Sequence, residues 1–228
     1  MTAISFSVKS WAAWTPAADG LDQWRGAAPA AAAPILLRRR IGRLGQRALQ
    51  AAWAFSAVLP PDAPPRLVFA SRHGEFSRTL SILEALAEGA PPSPADFTLS
   101  VHHALAGLLS IATANHAGHT AIASGADSLY HALLEAAACQ TERPEQPVLL
   151  AYYDEPLPPP YDDLEPGGET IALVLLLAPG GRALRLEHHP AAGPAGRHPG
   201  RDLAAVLDGG AAAVFQGDRL RWTLDGDR

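Results

Sequence analysis

The sequence predicts an α/β protein, and three observations lead to this fold class. Arg66–Ser71 is a short apolar run bounded by turn-forming residues, as a buried strand would be, and a helical pattern follows over 77–88. A strand followed by a helix indicates an α/β arrangement. Two further runs, Val148–Tyr153 and Thr170–Leu177, are apolar throughout, which is typical of strands covered on both faces. We therefore expect a sheet that is covered on both sides.

The length, composition and charge of the chain exclude several classes of protein. Its 228 residues are 48% hydrophobic and 18% charged, which fits one large globular domain or two small ones. A net charge of −5, spread without long blocks, argues against a nucleic-acid partner, because phosphate binding needs a basic face. No run of about 18 apolar residues and no basic N-terminal stretch before an apolar run is present, so we expect no membrane span and a cytoplasmic location. The single cysteine, Cys139, excludes an intrachain disulfide and is expected to be a packed thiol.

The first third of the chain predicts one strand and one long amphipathic helix. Ile4–Val8 alternates as a half-buried strand does, and the chain then passes through Trp11, Trp14 and Trp24 into an Ala/Pro stretch, up to residue 34, that is expected to be a loop. Over Ile35–Val58 the apolar residues recur at steps of three, four or seven, which places them on one helical face. The prolines from residue 60 onward end this helix.

Two buried helices and a short strand are predicted in the middle of the chain. Residues 104–114 are apolar almost all round, so a helix there would be deeply buried. Residues 120–124 could form a short strand. Residues 125–139 then predict a second buried helix, since their apolar residues do not form a single stripe.

The last third predicts an acidic loop and several outer elements. Residues 156–168 are rich in proline and acidic residues, and the carboxylate pairs in this part of the chain, Asp154-Glu155 and Asp162-Asp163, are interpreted as solvated turns. The remaining predicted elements are a strand at 183–188, a short helix at 201–207 after a Gly/Pro-rich loop, and an edge strand or tail at 216–224.

Three common kinds of catalytic site lack an adequate motif. There are nine histidines, with pairs such as His102-His103, but no His-Glu-x-x-His motif for zinc. Ser124 lacks the first glycine of the Gly-x-Ser-x-Gly elbow that serine hydrolases use. Lys9 is the only lysine, so the phosphate-binding Gly-x-x-x-x-Gly-Lys motif is missing. We expect no metal site and no cofactor.

Residues 97–138 resemble the region around the nucleophile of β-ketoacyl synthases. In those enzymes a helix of small residues with the pattern Ala-Gly-x-x-Ser-Ile comes before the nucleophile, and Ala106–Ile111 is AGLLSI. Thr120–Ala132 is TAIASGADSLYHA, which is similar to the synthase stretch Thr-Ala-Cys-x-Ser-Gly and its following helix with His-Ala. The resemblance covers most of the chain but only the first half of a thiolase-type fold.

This resemblance implies a fold, a domain organisation and a site. The expected fold is a thiolase-like half fold, layered α/β/α with a mixed sheet. Residues 1–228 would form a single ketosynthase-like N-terminal-half domain. Ile122 falls at the position of the catalytic cysteine. The residues that the resemblance places at a tunnel or interface are His102, His103, Ser124, Gly125 and His131.

At Ile122 the sequence departs from the synthase pattern, which has a cysteine there, and this difference determines the function that the resemblance implies. Claisen condensation needs a thiolate to carry the acyl chain, and isoleucine cannot form a thioester. We also expect the second half of a synthase, with its two catalytic histidines, to be absent. The resemblance therefore implies a non-catalytic, chain-length-factor-like subunit that forms a heterodimer with a full-length β-ketoacyl synthase and meets an acyl carrier protein through that complex. Similar short ketosynthase-like chains are small subunits in aryl polyene biosynthesis.

Two alternatives remain open. The chain could be a small acyl-handling hydrolase or transferase that uses Ser124 or His131, and esterase activity of a stable monomer would favour that interpretation. It could also be a self-associating scaffold without a ligand. Pull-down of a full-length ketosynthase would favour the subunit over both.

Overall fold

A central β-sheet organises the protein. The computed structural model describes residues 3–30, 32–39, 41–165, 167–196, 198–210 and 212–226, and all element counts refer to these ranges. The nine strands are β1 (Ala3–Pro16), β2 (Asp22–Gly26), β3 (Arg66–Ala70), β4 (His119–Ile122), β5 (Val148–Asp154), β6 (Ile171–Leu177), β7 (Arg182–Pro190), β8 (Ala213–Gln216) and β9 (Leu220–Gly226). The helices are α1 (Ile35–Arg38), α2 (Arg43–Ala57), α3 (Phe76–Ala87), α4 (Pro94–Leu99), α5 (Ala104–Ala112), α6 (Ser128–Glu142) and α7 (Pro199–Leu207), with a 3₁₀ turn at Asp162–Leu164.

The sheet is mixed, as predicted. Its strand order is β4-β3-β5-β6-β1-β7-β9-β8, with β2 paired to the far end of β1. Strands β4, β3 and β5 are parallel, whereas every other pairing is antiparallel. The carboxyl ends of the three parallel strands therefore meet at one edge of the sheet.

The two apolar strands β5 and β6 form the centre of an α/β/α arrangement, which confirms the predicted fold class. Every residue of both strands is buried. Along β5, Val148, Leu150 and Tyr152 pack in the core on the side of α6 and α7. Leu149 and Ala151 pack in the second core, on the side of α2 and α5. Because successive strand residues point to opposite faces, two covered faces require a continuous apolar run.

The N-terminal region contains more strand than the sequence predicted. The predicted strand ends at Val8, whereas β1 continues to Pro16. A register irregularity between Val8 and Ser10 interrupts the regular alternation. Beyond it β1 pairs with both β6 and β2, and Trp14 is buried, so long-range pairing fixes a strand that local alternation does not reveal.

The predicted helix at 35–58 is interrupted and forms α1 and α2 instead. Gly42 precedes the first residue of α2 with an extended backbone, and its N–H donates to Glu75 Oε2 at 3.1 Å. Glu75 is itself buried, after β3, so a contact distant in sequence fixes the start of α2. The apolar stripe that the sequence predicted remains buried along α2.

Helices α3, α4 and α5, with the turn between the last two, carry several exposed apolar side chains. Helix α3 has no buried residue, and α4 was not predicted. The prediction that 104–114 is deeply buried is wrong, because only one side of α5 packs in the core and Ile111 is 82% exposed. The large apolar side chains exposed in this part of the chain are Leu83, Leu86, Phe97, Val101 and Ile111. We call these five residues the apolar face.

The C-terminal residues form a hairpin that closes the sheet. Strand β9 lies between β7 and β8, so the edge strand is β8 and the prediction of an edge strand at 216–224 is wrong for most of its length. Trp222 on β9 is buried in the core on the α6 side. Across the described ranges, no helix combines the length and apolar character that crossing a membrane requires.

Candidate functional site at the carboxyl ends of the parallel strands

The loop from β4 to α6 lies at the edge where the parallel strands end, which is where α/β sheets place ligands. Ile122 is the last residue of β4 and packs partly buried against the core on the α6 side. Its carbonyl accepts a hydrogen bond from Ser71 N, the first residue after β3, at 3.2 Å. Ile122 is thus anchored to the end of the neighbouring strand.

Hydrogen bonds between the Ser128 hydroxyl and the backbone hold the β4–α6 loop in a tight turn. Ser128 Oγ accepts from Ser124 N at 2.9 Å and donates to Gly125 O at 2.7 Å. Gly125 has a φ of 56°, in the left-handed region that glycine adopts without a Cβ penalty. The helix then begins at Ser128, six residues after Ile122.

The C-terminal hairpin of β8 and β9 is hydrogen-bonded to the β4–α6 loop, and each of the two segments supplies a carboxylate that accepts from the other. The buried carboxylate of Asp127 accepts from Trp222 Nε1 at 2.9 Å and from Arg219 N at 3.1 Å. In return, Asp218 Oδ2 accepts from Ala126 N at 3.0 Å. Sequence reasoning missed both acids, since their partners lie about ninety residues away along the chain.

A cavity of about 670 Å³ opens on this loop. Three of the predicted site residues line it, namely Ser124, Gly125 and His131. His131 Nδ1 lies 3.0 Å from the carbonyl oxygen of Asp127, and its ring meets the edge of Trp222. Because that ring nitrogen already has a partner and Ser124 Oγ forms no hydrogen bond to His131 within the described residues, the two side chains are not arranged as nucleophile and base.

His102 and His103 lie elsewhere, at the junction of α4 and α5. The ring of His102 faces Gly74 in the loop after β3, and its buried Nε2 has no hydrogen-bond partner among the residues that the structure describes. The ring centroid of His103 is 5.3 Å from that of His119, at the start of β4. The structure therefore does not bring these two histidines into the cavity of Ser124 and His131.

A buried charge network lies beside the loop, at the ends of β3 and β5. Asp154 is only 1% exposed and pairs with the Arg72 guanidinium. Burial raises the pKa of Asp154, an effect that Arg72 opposes. Arg72 also pairs with Glu165 at 2.6 Å, and His73 Nε2 lies 3.1 Å from the same carboxylate oxygen.

The interpretation of Asp154 as part of a solvated turn is therefore wrong. The signal that could have revealed its burial is its place at the end of an apolar strand, at the same edge as the residue after β3. By contrast, Asp162 and Asp163 lie in an exposed 3₁₀ turn. The cluster of acids in this segment thus serves two different structural roles.

A second buried acid, Glu169, holds the start of α7. Its carboxylate oxygens accept from Gly200 N at 2.6 Å and from Arg201 N at 3.1 Å. Burial raises the pKa of Glu169 to about 7, while these two N–H groups oppose the shift. A carboxylate at this place satisfies N–H groups that a helix start leaves without partners.

We predict that Glu169 makes stability depend on pH. Because its folded-state pKa of about 7 exceeds the ordinary 4.5, the native state binds more protons than the unfolded state between these pH values. The free energy of unfolding should therefore fall by about 2–3 kcal/mol as pH rises from 4 to 8. Urea unfolding across this range should show the fall in the wild type and a flatter profile in Glu169→Gln. If Glu169→Gln and wild type keep the same slope, while the exposed control Glu88→Gln also matches them, Glu169 does not titrate in this way.

Cys139 is remote from the loop in sequence and unsuited to nucleophilic chemistry. It lies near the C-terminal end of α6, and its Sγ is 3.8 Å from Glu135 Oε1. Burial raises the pKa of this thiol, and Glu135 adds to the shift. A raised pKa keeps the group protonated at neutral pH. Within the ranges that the structure describes, no group of three or more His, Cys, Asp or Glu residues could hold a metal ion.

Comparisons with known proteins agree with this geometry. A family model described as the N-terminal domain of β-ketoacyl synthases matches residues 11–223. No curated protein matches the chain. A chain from the structure of the ketosynthase ApeO in complex with its chain length factor ApeC, from Xenorhabdus doucetiae, superposes with a TM-score of 0.80 and 22% identity over 97% of this chain and 99% of that chain.

Two further solved structures share the fold over a smaller part. A β-ketoacyl synthase from Burkholderia phymatum STM815 gives a TM-score of 0.56 at 13% identity, over 83% of this chain and 65% of that chain. A type II polyketide synthase complex of the ketosynthase AntDE with its acyl-carrier protein AntF gives 0.51 at 16% identity, over 68% of this chain and 55% of that chain. The chain therefore spans between half and two thirds of these two proteins, and the shared architecture is the thiolase-like ketosynthase fold.

Proposed function

The chain belongs to the family of β-ketoacyl synthase N-terminal domains, and from that premise we propose that it is a non-catalytic, chain-length-factor-like subunit paired with an active β-ketoacyl synthase. Residues 1–228 act in this proposal as one N-terminal-half domain. The observation that carries it is the sequence of the β4–α6 loop, which has no cysteine from β4 to the start of α6; in this proposal Ile122 takes the place of the nucleophile.

The missing thiolate excludes the covalent step of condensation on this loop. Condensing synthases hold the acyl chain as a thioester, and neither isoleucine nor the neighbouring alanines can form one. The only cysteine of the chain, Cys139, has a raised pKa and no place at the loop. An apolar residue at this position can instead border the space that a partner's acyl chain occupies.

The apolar face supports a protein partner for this subunit. A helix of about 12 residues is marginal by itself in water, and α3 gains no buried residue from its own chain. Five large apolar side chains left exposed on neighbouring elements favour an interaction site on an otherwise well-packed protein. A ketosynthase that covers α3 and α4 would supply the missing burial.

The length of the matched chain from the ApeO–ApeC structure adds support. That chain is covered almost end to end, so it is about as short as this one. Its complex joins a ketosynthase with a chain length factor. We extend this pairing to the present chain as a heterodimer in aryl polyene biosynthesis, which an acyl carrier protein reaches through the complex.

We predict that the volume of residue 122 sets product length. Ile122→Trp adds bulk that a close-packed wall absorbs only with about 1–3 kcal/mol of strain, so a tunnel that passes this point becomes shorter. Ile122→Ala removes bulk and should lengthen the products. The measurement is the product distribution after co-expression of each variant with the ketosynthase and carrier protein, together with co-purification of the two subunits.

Two controls separate an effect of side-chain volume from simple loss of folding. Ile122→Val changes the volume least and should leave the products as in the wild type. Melting temperatures of the purified complexes identify a variant that merely unfolds. Unchanged products with all three variants in intact complexes would contradict the chain-length role. Esterase activity that Ser124→Ala or His131→Ala removes would establish the hydrolase alternative, and self-association without a ketosynthase would favour the scaffold.

A further inference from the structure

Two exposed histidines, His103 and His119, face each other beside the edge strand β4. His103 lies immediately before α5, and His119 is the first residue of β4. Their ring centroids are 5.3 Å apart and the ring planes are inclined by 59°, so the rings are not stacked. Neither ring forms a hydrogen bond or an ion pair with any residue that the structure describes. The ring nitrogens are therefore open to a ligand from solution.

The backbone holds both histidines in place. Strand β4 pairs with β3 along its whole length. Helix α5 is fixed by buried apolar residues that begin with Leu105, two residues after His103. Thr120 and Ile122 lie on the α6 side of β4, since Thr120 bonds to that helix and Ile122 packs in its core. Because strand residues alternate between faces, His119 lies on the α5 side, with His103.

The cation nearest in sequence to this pairing, Arg66 at the start of β3, lies on the other face of the sheet. Its Nη2 donates to Thr120 Oγ1 at 3.2 Å, and the same hydroxyl lies 3.2 Å from Glu135 Oε1 on α6. The sheet therefore separates this guanidinium from the two imidazoles, and a second positive charge on their side does not meet it directly.

The separation of the two rings matches the spacing of two imidazoles on one metal ion. A histidine nitrogen binds Zn²⁺ at about 2.0–2.1 Å, which places the ring centroid about 3.2 Å from the metal. Two such rings at a tetrahedral angle have centroids about 5.2 Å apart. The observed distance is 5.3 Å. One ion can therefore bridge the two rings at the spacing that they already have.

We propose that His103 and His119 form a two-histidine site for a divalent transition-metal ion such as Zn²⁺, an inference that does not depend on the proposed function. Imidazole suits Zn²⁺, Cu²⁺ and Ni²⁺, whereas Mg²⁺ prefers oxygen ligands. Among the described residues no third His, Cys, Asp or Glu completes a ligand set, so water fills the remaining positions. The bound ion ties the start of α5 to the edge strand.

Sequence analysis predicted no metal site because the two histidines lie sixteen residues apart and share no short motif. The metal-binding motifs with a recognisable spacing place their histidines on one helix or within one loop. Here one ligand comes from the residue before a helix and the other from a strand. Only the packing of α5 beside β4 brings them together.

Calorimetric titration of the purified full chain with Zn²⁺ tests this site. His103→Gln and His119→Gln should each weaken Zn²⁺ binding by more than about tenfold, because even the loss of an outer-shell partner of a metal ligand costs about 10–100-fold. His116→Gln is the matched control, since His116 is exposed and near in sequence but outside the ring pair, and it should leave the affinity unchanged. Mg²⁺ should give no binding heat.

The outcomes decide the proposal in either direction. Weaker binding in both His103→Gln and His119→Gln, with His116→Gln unchanged, supports the site. No Zn²⁺ binding by the wild type, or equal affinity in the wild type and these two variants, overturns it. An equal loss in His116→Gln assigns the ion to other ligands and also overturns it. Because all three side chains are exposed, the metal-free proteins should melt alike, and asparagine variants replace any glutamine variant that melts early.

Discussion

Replacing Arg72 with alanine is expected to lower the free energy of unfolding by about 3–5 kcal/mol, because it leaves a buried carboxylate without its cation. Asp154 is 1% exposed, and the Arg72 guanidinium and backbone N–H both serve it. Tyr152 adds a hydrogen bond from its hydroxyl at 3.2 Å, which cannot replace a positive charge. Urea unfolding of the purified protein at neutral pH measures the loss.

A surface ion pair provides the matched control for this change. Arg185 pairs with Glu187 at 2.6 Å, but its side chain is about half exposed. Arg185→Ala should therefore cost less than about 1 kcal/mol. The double variant Arg72→Ala/Asp154→Ala should recover part of the loss, since it removes the stranded carboxylate as well. Equal effects of Arg72→Ala and Arg185→Ala would show that the buried pair is not what stabilises this edge.

Replacing Gly217 with alanine is expected to cost about 2–4 kcal/mol, from steric overlap together with lost hydrogen bonds. A Cβ at this position would overlap the carboxylate of Asp127. Either the β8–β9 turn moves away, or Asp127 turns out and gives up its bonds to Trp222 and Arg219. Both responses loosen the β4–α6 loop, so unfolding should begin at a lower denaturant concentration and exchange at 123–127 should be faster.

Gly193 is the control for this substitution, because a Cβ there meets nothing within 4 Å. Gly193→Ala should change the free energy of unfolding by no more than about 0.5 kcal/mol. The two variants differ from the wild type by the same methyl group, so composition cannot account for a difference between them. A stability of Gly217→Ala equal to that of Gly193→Ala would contradict the close packing of the turn against Asp127.

The central part of the fold could be predicted from the sequence, because a strand that is buried on both faces is apolar at nearly every position. Strands β5 and β6 were recognisable as unbroken apolar runs, and the parallel strand β3 as a short apolar run before a helix. The resemblance to β-ketoacyl synthases in residues 97–138 is confirmed by the family match. Local composition and a short motif together were therefore sufficient for the fold class and the family.

What the sequence did not reveal depends on contacts between distant residues. The far half of β1 is a strand because β6 and β2 pair with it, and α2 begins after Gly42 because Glu75 accepts its N–H. Asp154 is buried because Arg72 reaches it from a neighbouring strand end. Apart from the β1–β2 pairing, whose partners lie 6 to 14 residues apart, these partners lie from 33 to more than one hundred and fifty residues apart, so no local pattern predicts them.

In the candidate site, too, some residues could be predicted from a local motif and others depend on contacts between distant parts of the chain. The segment with Ile122, Ser124, Gly125 and His131 could be found from its motif, and the structure places the last three in one cavity. Asp127 and Asp218 could not be found in this way, because their hydrogen bonds form only when the C-terminal hairpin meets the loop. The role of Ile122 in a tunnel is a prediction that the product experiments test.

Intact-mass spectrometry of the co-purified complex tests the central claim most directly. The chain is co-expressed with its ketosynthase, the complex is purified, and both subunits are weighed after incubation with acylated carrier protein. We predict that the two subunits purify together, that the ketosynthase gains the acyl mass, and that this chain keeps its unmodified mass. An acyl adduct on this chain, at Ser124 or Cys139, or the failure of the two subunits to purify together, would contradict the account.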